Sequence, residues 1–262
     1  MRYYILLCVL FIVAQGYSQK GIIYYGQIKS PGMRSAVGPD LNAYLVFDKE
    51  KSYYVTAKDS LEIVLQDRSV YQGDEGQVVA VSTGNNTFRY GEQVFYNRTK
   101  DSLWWSQRFR GNIYIAEKKP EIEWNLESES KTIGGLTAHK ATGEFRGRTY
   151  TAWYTTELPL PYGPWKLQGL PGVILEAKDE KDEMLFYFKS LEYPTKNTTQ
   201  ITQVKREKGD AEDWLTIADF EKLLRNSLIR AYNNMVLSAE ESNSKKPEKP
   251  VFRDIYIESF EE

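Results

Sequence analysis

The stretch that decides the fold runs from Trp153 to Glu176 and reads WYTTELPLPYGPWKLQGLPGVILE. It carries two proline-and-glycine clusters, residues 159–164 and 169–172. Proline fixes its own φ and restricts the residue before it, and glycine opens backbone angles that other residues avoid. Strand-like runs flank it, residues 148–155 and 173–178. The pattern predicts a fixed loop between two strands of one sheet, with the rest of the chain packed around it. Gly163, Pro164, Gly169, Leu170, Pro171 and Gly172 form the expected structural motif of that loop.

Outward from the loop, short strand patterns dominate. Toward the N-terminus they recur at roughly ten-residue spacing: 21–29, 42–47, 52–57, 62–65, 77–82, 87–90, 94–98 and 103–109. Turn residues separate them, including Ser30-Pro31-Gly32, Gly38-Pro39-Asp40 and Gly84-Asn85-Asn86. Residues 113–117 and 122–126 continue the series, residues 127–131 read as a charged bend, and 137–145 alternate loosely. After the loop, 173–177 and 184–191 read as a hairpin turning at a solvated acidic run, residues 179–183. Aromatic residues make up 14% of the chain, which suits broad rings on a pleated surface.

Residues 216–237 break the period. Ile217, Phe220, Leu224, Leu228, Ala231 and Met235 recur at spacings of three and four, a helical face, and Thr216 with Asp219 fits a capping box. The expected fold is therefore mainly β (α+β): a curved antiparallel sheet or half-barrel with one C-terminal amphipathic helix packed on it. Residues 240–249 are polar and lysine-rich with two prolines, a flexible linker in outline. Residues 251–260 are apolar enough for a last strand or a docking tail.

The first residues stand apart. Arg2 precedes an apolar run over residues 5–14, and Gly16 and Ser18 place small residues before Gln19. This predicts a secretory signal peptide over residues 1–18, with a single β-rich domain over 19–239 and a linker and tail over 240–262. The apolar run is too short for a stable membrane anchor. The one cysteine, Cys8, falls in it, so the processed chain has no thiol for a disulfide, a nucleophile or a metal. The expected localisation is exported, periplasmic or secreted, with no transmembrane segment after cleavage.

Chemistry is sparse. His139 is the single histidine and has no acid partner in its neighbourhood, and there is no Gly-x-Ser-x-Gly elbow. No metal-ligand or phosphate-loop spacing occurs, so no catalytic residue, metal or cofactor is nominated. A net charge of −2 gives no basic field for nucleic acid. Arg146 and Arg148 flank a glycine and, on a strand, would share one face, as an anion clamp or as solvated arginines. Trp153 and Trp165 either line a pocket beside the rigid loop or anchor it to the core. These four are the candidate ligand-binding residues. Trp104 and Trp105 are adjacent, so one should face inward and one outward.

A resemblance follows from particular residues. Trp124, Lys131-Thr132-Ile133-Gly134-Gly135, Lys140-Ala141, Phe145-Arg146-Gly147-Arg148, Ala152-Trp153-Tyr154, Pro159, Gly163-Pro164 and Gly169-Leu170-Pro171-Gly172-Val173-Ile174 resemble the GLPGLI family of exported Bacteroidetes proteins. The pattern runs in order from about Ile22 to Leu191, with Val173 in place of the usual leucine. Many relatives carry a cysteine near the position of Ala138, and its absence removes any thiol role here. The resemblance implies an exported β-rich protein and supplies no catalytic residues. The expected function is a non-enzymatic binding or accessory protein of the cell envelope, with an outer-membrane protein or an apolar or peptide ligand as partner. The alternative is a carboxylate-dependent hydrolase acting in a cleft near Trp153, Arg148 and Trp165; a third is a purely structural surface component.

Overall fold

The computed structural model describes residues 19–56, 71–72, 78–79, 90–109, 111–250, 256 and 258–260. The expected signal peptide with Cys8, the expected strand 62–65 and most of 77–82 and 87–90 lie outside the described residues. The strands are β1 (Gly21–Lys29), β2 (Asp40–Phe47), β3 (Lys51–Thr56), β4 (Tyr71–Gln72), β5 (Val78–Val79), β6 (Gln93–Asn97), β7 (Ser102–Arg108) and β8 (Asn112–Lys118). They continue with β9 (Trp124–Ile133), β10 (Leu136–Phe145), β11 (Arg148–Thr155), β12 (Val173–Asp179) and β13 (Met184–Glu192). One α-helix, α1 (Ile217–Glu241), follows.

Eleven strands form one open, curved antiparallel sheet in the order β8-β7-β6-β3-β2-β1-β13-β12-β11-β10-β9, and β4 pairs with β5 alone. Two meanders meet where β13 pairs with β1, in register Ile23 with Leu191 and Gln27 with Phe186. The sheet curves because it is bulged at three places: at Tyr24/Tyr25, at His139/Ala141 and at Trp153/Tyr154. The first and third place one extra residue on β13 and β12, and the second places two on β9, which bends those strands locally. Period-two alternation then sets the faces: Ala43, Leu45 and Phe47 of β2 point into the concave core.

The loop between β11 and β12, residues 156–172, fills that concavity. Leu158, Leu160, Tyr162, Trp165, Leu167 and Leu170 are all buried. Tyr162 meets Phe47 of β2 and Tyr96 of β6, while Trp165 meets Phe145 of β10 and Phe186 of β13. The Trp124 indole of β9 donates to the Gln168 carbonyl at 2.8 Å. Strands from both ends of the sheet thus close on one loop. A buried loop is costly because its backbone polar groups need partners. Pro159, Pro161, Pro164 and Pro171 have no N–H to satisfy. Local bonds serve others: Leu167 N to Pro164 O at 3.1 Å, Gly169 N to Pro161 O at 3.2 Å and Ile174 N to Tyr162 O at 2.9 Å. Gly172 has a different reason: a Cβ there would sit 1.9 Å from the Thr155 carbonyl oxygen.

A smaller apolar cluster covers the convex face, with Tyr53, Val55, Phe95 and Tyr114 under Val204. Gln93 holds this crossing segment through Lys205 N and Lys205 O at 2.8 and 2.9 Å. Leu215 bridges β8 beside Ile115 and caps that edge. Trp105 faces the main core and Trp104 packs on Phe95 outside, as adjacent strand residues must.

Thr216 caps α1 in a full capping box with Asp219. Phe220 and Leu224 are buried, and Phe220 stands edge-on to Trp105 at 5.0 Å. The helix packs through its first half only: Ala231 and Met235 are exposed, as are Ile229 and Leu237. At 25 residues it spans about 37 Å. The expected bend at 127–131 is instead part of β9. Its charges lie on solvent-facing positions, where Glu127 and Glu129 reach Lys140 and Lys131 reaches Glu176. Among the described residues no helix is long and apolar enough to cross a membrane.

Candidate binding site

Two buried charge clusters lie against the core. The first belongs to the strands. Arg148 opens β11, Asp179 ends β12, and Glu183 sits in the β12–β13 turn. Arg148 Nη1 donates to Asp179 and, at 2.8 Å, to Glu183 Oε2. Asp179 Oδ1 also accepts from the N–H groups of Glu183 and Met184 at 2.7 and 2.9 Å, and Glu183 Oε1 accepts from Arg34 N. Burial opposes ionisation of Glu183, but the bonds from Arg148 and the Arg34 N–H outweigh it and hold its carboxyl below its usual value. Burial likewise opposes the Arg148 charge, and Glu183 and Asp179 keep its pKa raised. The acidic run 179–183 is therefore not simply a solvated turn: Asp179 and Glu183 are almost fully enclosed. Arg148 meets both carboxylates.

The second cluster joins distant parts of the chain. Lys166 rises from the buried loop, 1% exposed, with Nζ 3.0 Å from the centre of the Trp105 ring. It pairs with Glu258 Oε2 at 2.6 Å. Arg146, in the turn between β10 and β11, binds Glu117 of β8 and approaches Glu258 Oε1 at 3.6 Å. Trp105 Nε1 donates to the other oxygen of Glu117 at 2.8 Å. Burial lowers the Lys166 pKa to about 8, against the pull of Glu258 and Glu117. Arg146 Nε and Glu258 Oε1 are buried and lack a hydrogen bond. A cavity of about 180 Å³ opens beside this cluster, with Lys29, Glu92, Gln107, Trp165, Phe220 and Glu258 on its wall.

Of the four candidate ligand-binding residues, Arg146 and Trp165 come together at this corner, where Arg146 meets Glu258 and Trp165 lies 5.0 Å from Lys166 Nζ. Arg148 sits in the first cluster. Arg146 is not on a strand: it and Gly147 form a turn with positive φ, which separates the two guanidinium groups. Trp153 lies on the opposite face of β11, with Lys131 over its ring at 4.4 Å. Lys166, Glu117 and Glu258 escaped the sequence reading. The available signal was Lys166 itself, a single charge inside the otherwise uncharged run Tyr162–Leu170.

Among the described residues no group of three or more His, Cys, Asp or Glu is placed to hold a metal ion. A shallow depression of about 530 Å³ on the β9–β10 side is lined by Glu121, Glu123 and Glu144 and exposes no cation.

One similarity falls on this region. Residues 144–176, from the end of β10 through β11 and the buried loop into β12, match the family described as a protein of unknown function (Porph_ging). No curated protein matches the chain. Solved structures of PNGF-II in space groups P21 and C2 are similar at 15% and 14% identity, with TM-scores of 0.46 and 0.49. They align with 76% and 78% of this chain, which spans only 31% and 32% of theirs.

Proposed function

We propose that the protein is a GLPGLI-type, exported binding or accessory protein of the cell envelope, and that it binds through the Lys166–Arg146 corner. The carrying observation is the way that corner is held: a lysine on a rigid, buried loop and an arginine on a tight turn, both aimed at one carboxylate beside an open cavity. Fixed cations paired to a carboxylate that faces a partly apolar cavity suit recognition of an anionic or peptide ligand, because the side chains are already ordered before binding. The match over residues 144–176 includes both Arg146 and Lys166. The first 18 residues support the exported reading through their apolar run and small residues before Gln19.

The test is affinity purification from the native envelope fraction, followed by mass spectrometry of what accompanies the protein. A component recovered with the wild type and lost with Arg146→Met supports the reading. Equal recovery from both, or no component at all, overturns it.

A second reading has one observation in its favour. Glu92 and Glu258 both face the 180 Å³ cavity with Trp165, and two carboxylates are what acid–base hydrolysis needs. Each, however, is engaged by a lysine, Glu92 by Lys29 on the same wall and Glu258 by Lys166 of the buried loop. Turnover of a glycan or peptide library that disappears in Glu92→Gln would establish it.

A further inference from the structure

We propose that this corner is a peptide-binding site for a carboxylate followed two residues later by an aromatic ring, and that the chain's own Glu258-Ser259-Phe260 occupies it in cis. The inference rests on the binding reading above and names its ligand class.

The contacts are those of a bound peptide. Ser259 N donates to the Arg146 carbonyl at 2.9 Å. Arg225 of α1 donates to the Phe260 carbonyl at 3.0 Å, and Arg148 reaches the Tyr256 carbonyl at 3.4 Å. The Glu258 carboxylate goes to Lys166, with Arg146 3.6 Å away. The Phe260 ring stands edge-on to Phe220 at 6.0 Å, with the Arg146 guanidinium 4.7 Å from its centre. Main-chain bonds give affinity, and two pockets for alternate side chains give specificity. Gly147 completes the fit, because a Cβ at that position would lie 2.7 Å from Ser259 Cβ.

Each receiving group is positioned by something other than the segment. Arg148 is held by Asp179 and Glu183, Arg146 by Glu117, Arg225 by Glu221, and Lys166 by the loop. The receiving surface is therefore preorganised. The occupant hangs from residues 244–250, which have no regular secondary structure and include Lys245, Lys246, Pro247, Lys249 and Pro250. A tether of this length gives an effective concentration on the order of millimolar. A partner peptide of the same chemistry must outcompete that, so the cis segment sets the threshold for binding. The fit is also unfinished: Arg146 Nε and Glu258 Oε1 face each other without a hydrogen bond.

The experiment uses the full chain with a specific protease site placed in residues 244–249. The probe is a labelled peptide of residues 254–262, Asp-Ile-Tyr-Ile-Glu-Ser-Phe-Glu-Glu, followed by fluorescence anisotropy before and after cleavage. The expected result is at least tenfold tighter binding after the cut, and at least tenfold weaker binding when the peptide's Glu258 is replaced by Gln. A second variant needs no cleavage: intact Glu258→Gln protein should bind the labelled peptide more tightly than wild type. Failure of the cut chain to exchange its segment, loss of its near-UV dichroism on release, or equal binding of the Gln peptide would each overturn the proposal. A cut chain that binds the peptide but recovers nothing from the envelope keeps this site and removes the envelope-binding function.

Discussion

The Arg148 and Lys166 clusters are built from the same kinds of group and differ in how completely they are closed. Arg148, Asp179 and Glu183 lie within one run of three strands, and backbone N–H groups saturate the carboxylates. Lys166 and Glu258 are 92 residues apart, brought together by a loop and a terminal segment. There, an arginine nitrogen and a carboxylate oxygen remain unbonded. Buried polar groups that are fully paired fix a structure, whereas partly paired ones mark places where something can change. The first cluster is a brace for the β11–β12–β13 corner, and the second is the one we propose as a site.

The sharpest way to break this contrast is Arg148→Met. It leaves two enclosed carboxylates without their cation and should cost about 3–5 kcal/mol in urea unfolding. A cost below that of Lys166→Met would reverse the two assignments. Next comes Gly172→Val, whose Cβ would press on the Thr155 carbonyl and displace the loop that carries Lys166. It should cost about 2–4 kcal/mol, and unchanged thermal stability would show that the loop tolerates movement.

Lys166→Met should be milder, about 1–2 kcal/mol, because Glu258 keeps Arg146 nearby and the lysine's own desolvation disappears. Its signature is the pH dependence. With a folded pKa of about 8 against an ordinary 10.5, Lys166 carries its proton in both states below pH 8. Between these values the unfolded chain retains the proton that the folded chain has released, so this group's contribution to stability rises with pH. The stability of wild type relative to Lys166→Met should therefore increase from pH 8 to pH 10, and a flat difference would count against a buried, strained lysine. The smallest effect expected is Thr216→Ala at about 1 kcal/mol, from loss of the α1 capping box. It should leave both clusters untouched, which peptide binding after cleavage would verify.

Much of the scaffold was readable because its signals are local. Turn residues and alternation mark most strands, Thr216 with Asp219 marks the start of α1, and the punctuation of 153–176 marks a fixed loop. That the loop goes inside the sheet was less visible, since proline and glycine usually signal a surface turn. Here the absent N–H groups of four prolines make the interior acceptable. Residues 127–131 hid a strand because an edge strand in solvent can carry charge on both faces. The site was the least legible part. A glutamate at 258 looks like any tail residue until folding brings Lys166 within 2.6 Å. Arg146 and Trp165 lie at the same corner, although the i, i+2 spacing that suggests a clamp between Arg146 and Arg148 is interrupted by a turn.

The seam between β1 and β13 has a consequence for how the molecule comes into being. Ile22 pairs with Glu192, so the first strand waits for 170 residues before its second neighbour exists. The material that fills the hollow, residues 156–172, also arrives late. Until then the N-terminal meander has a bare edge and an empty lining, and cannot reach its final packing. Closure of the sheet therefore waits on β13, the last strand in chain order among the described residues, which joins the two meanders.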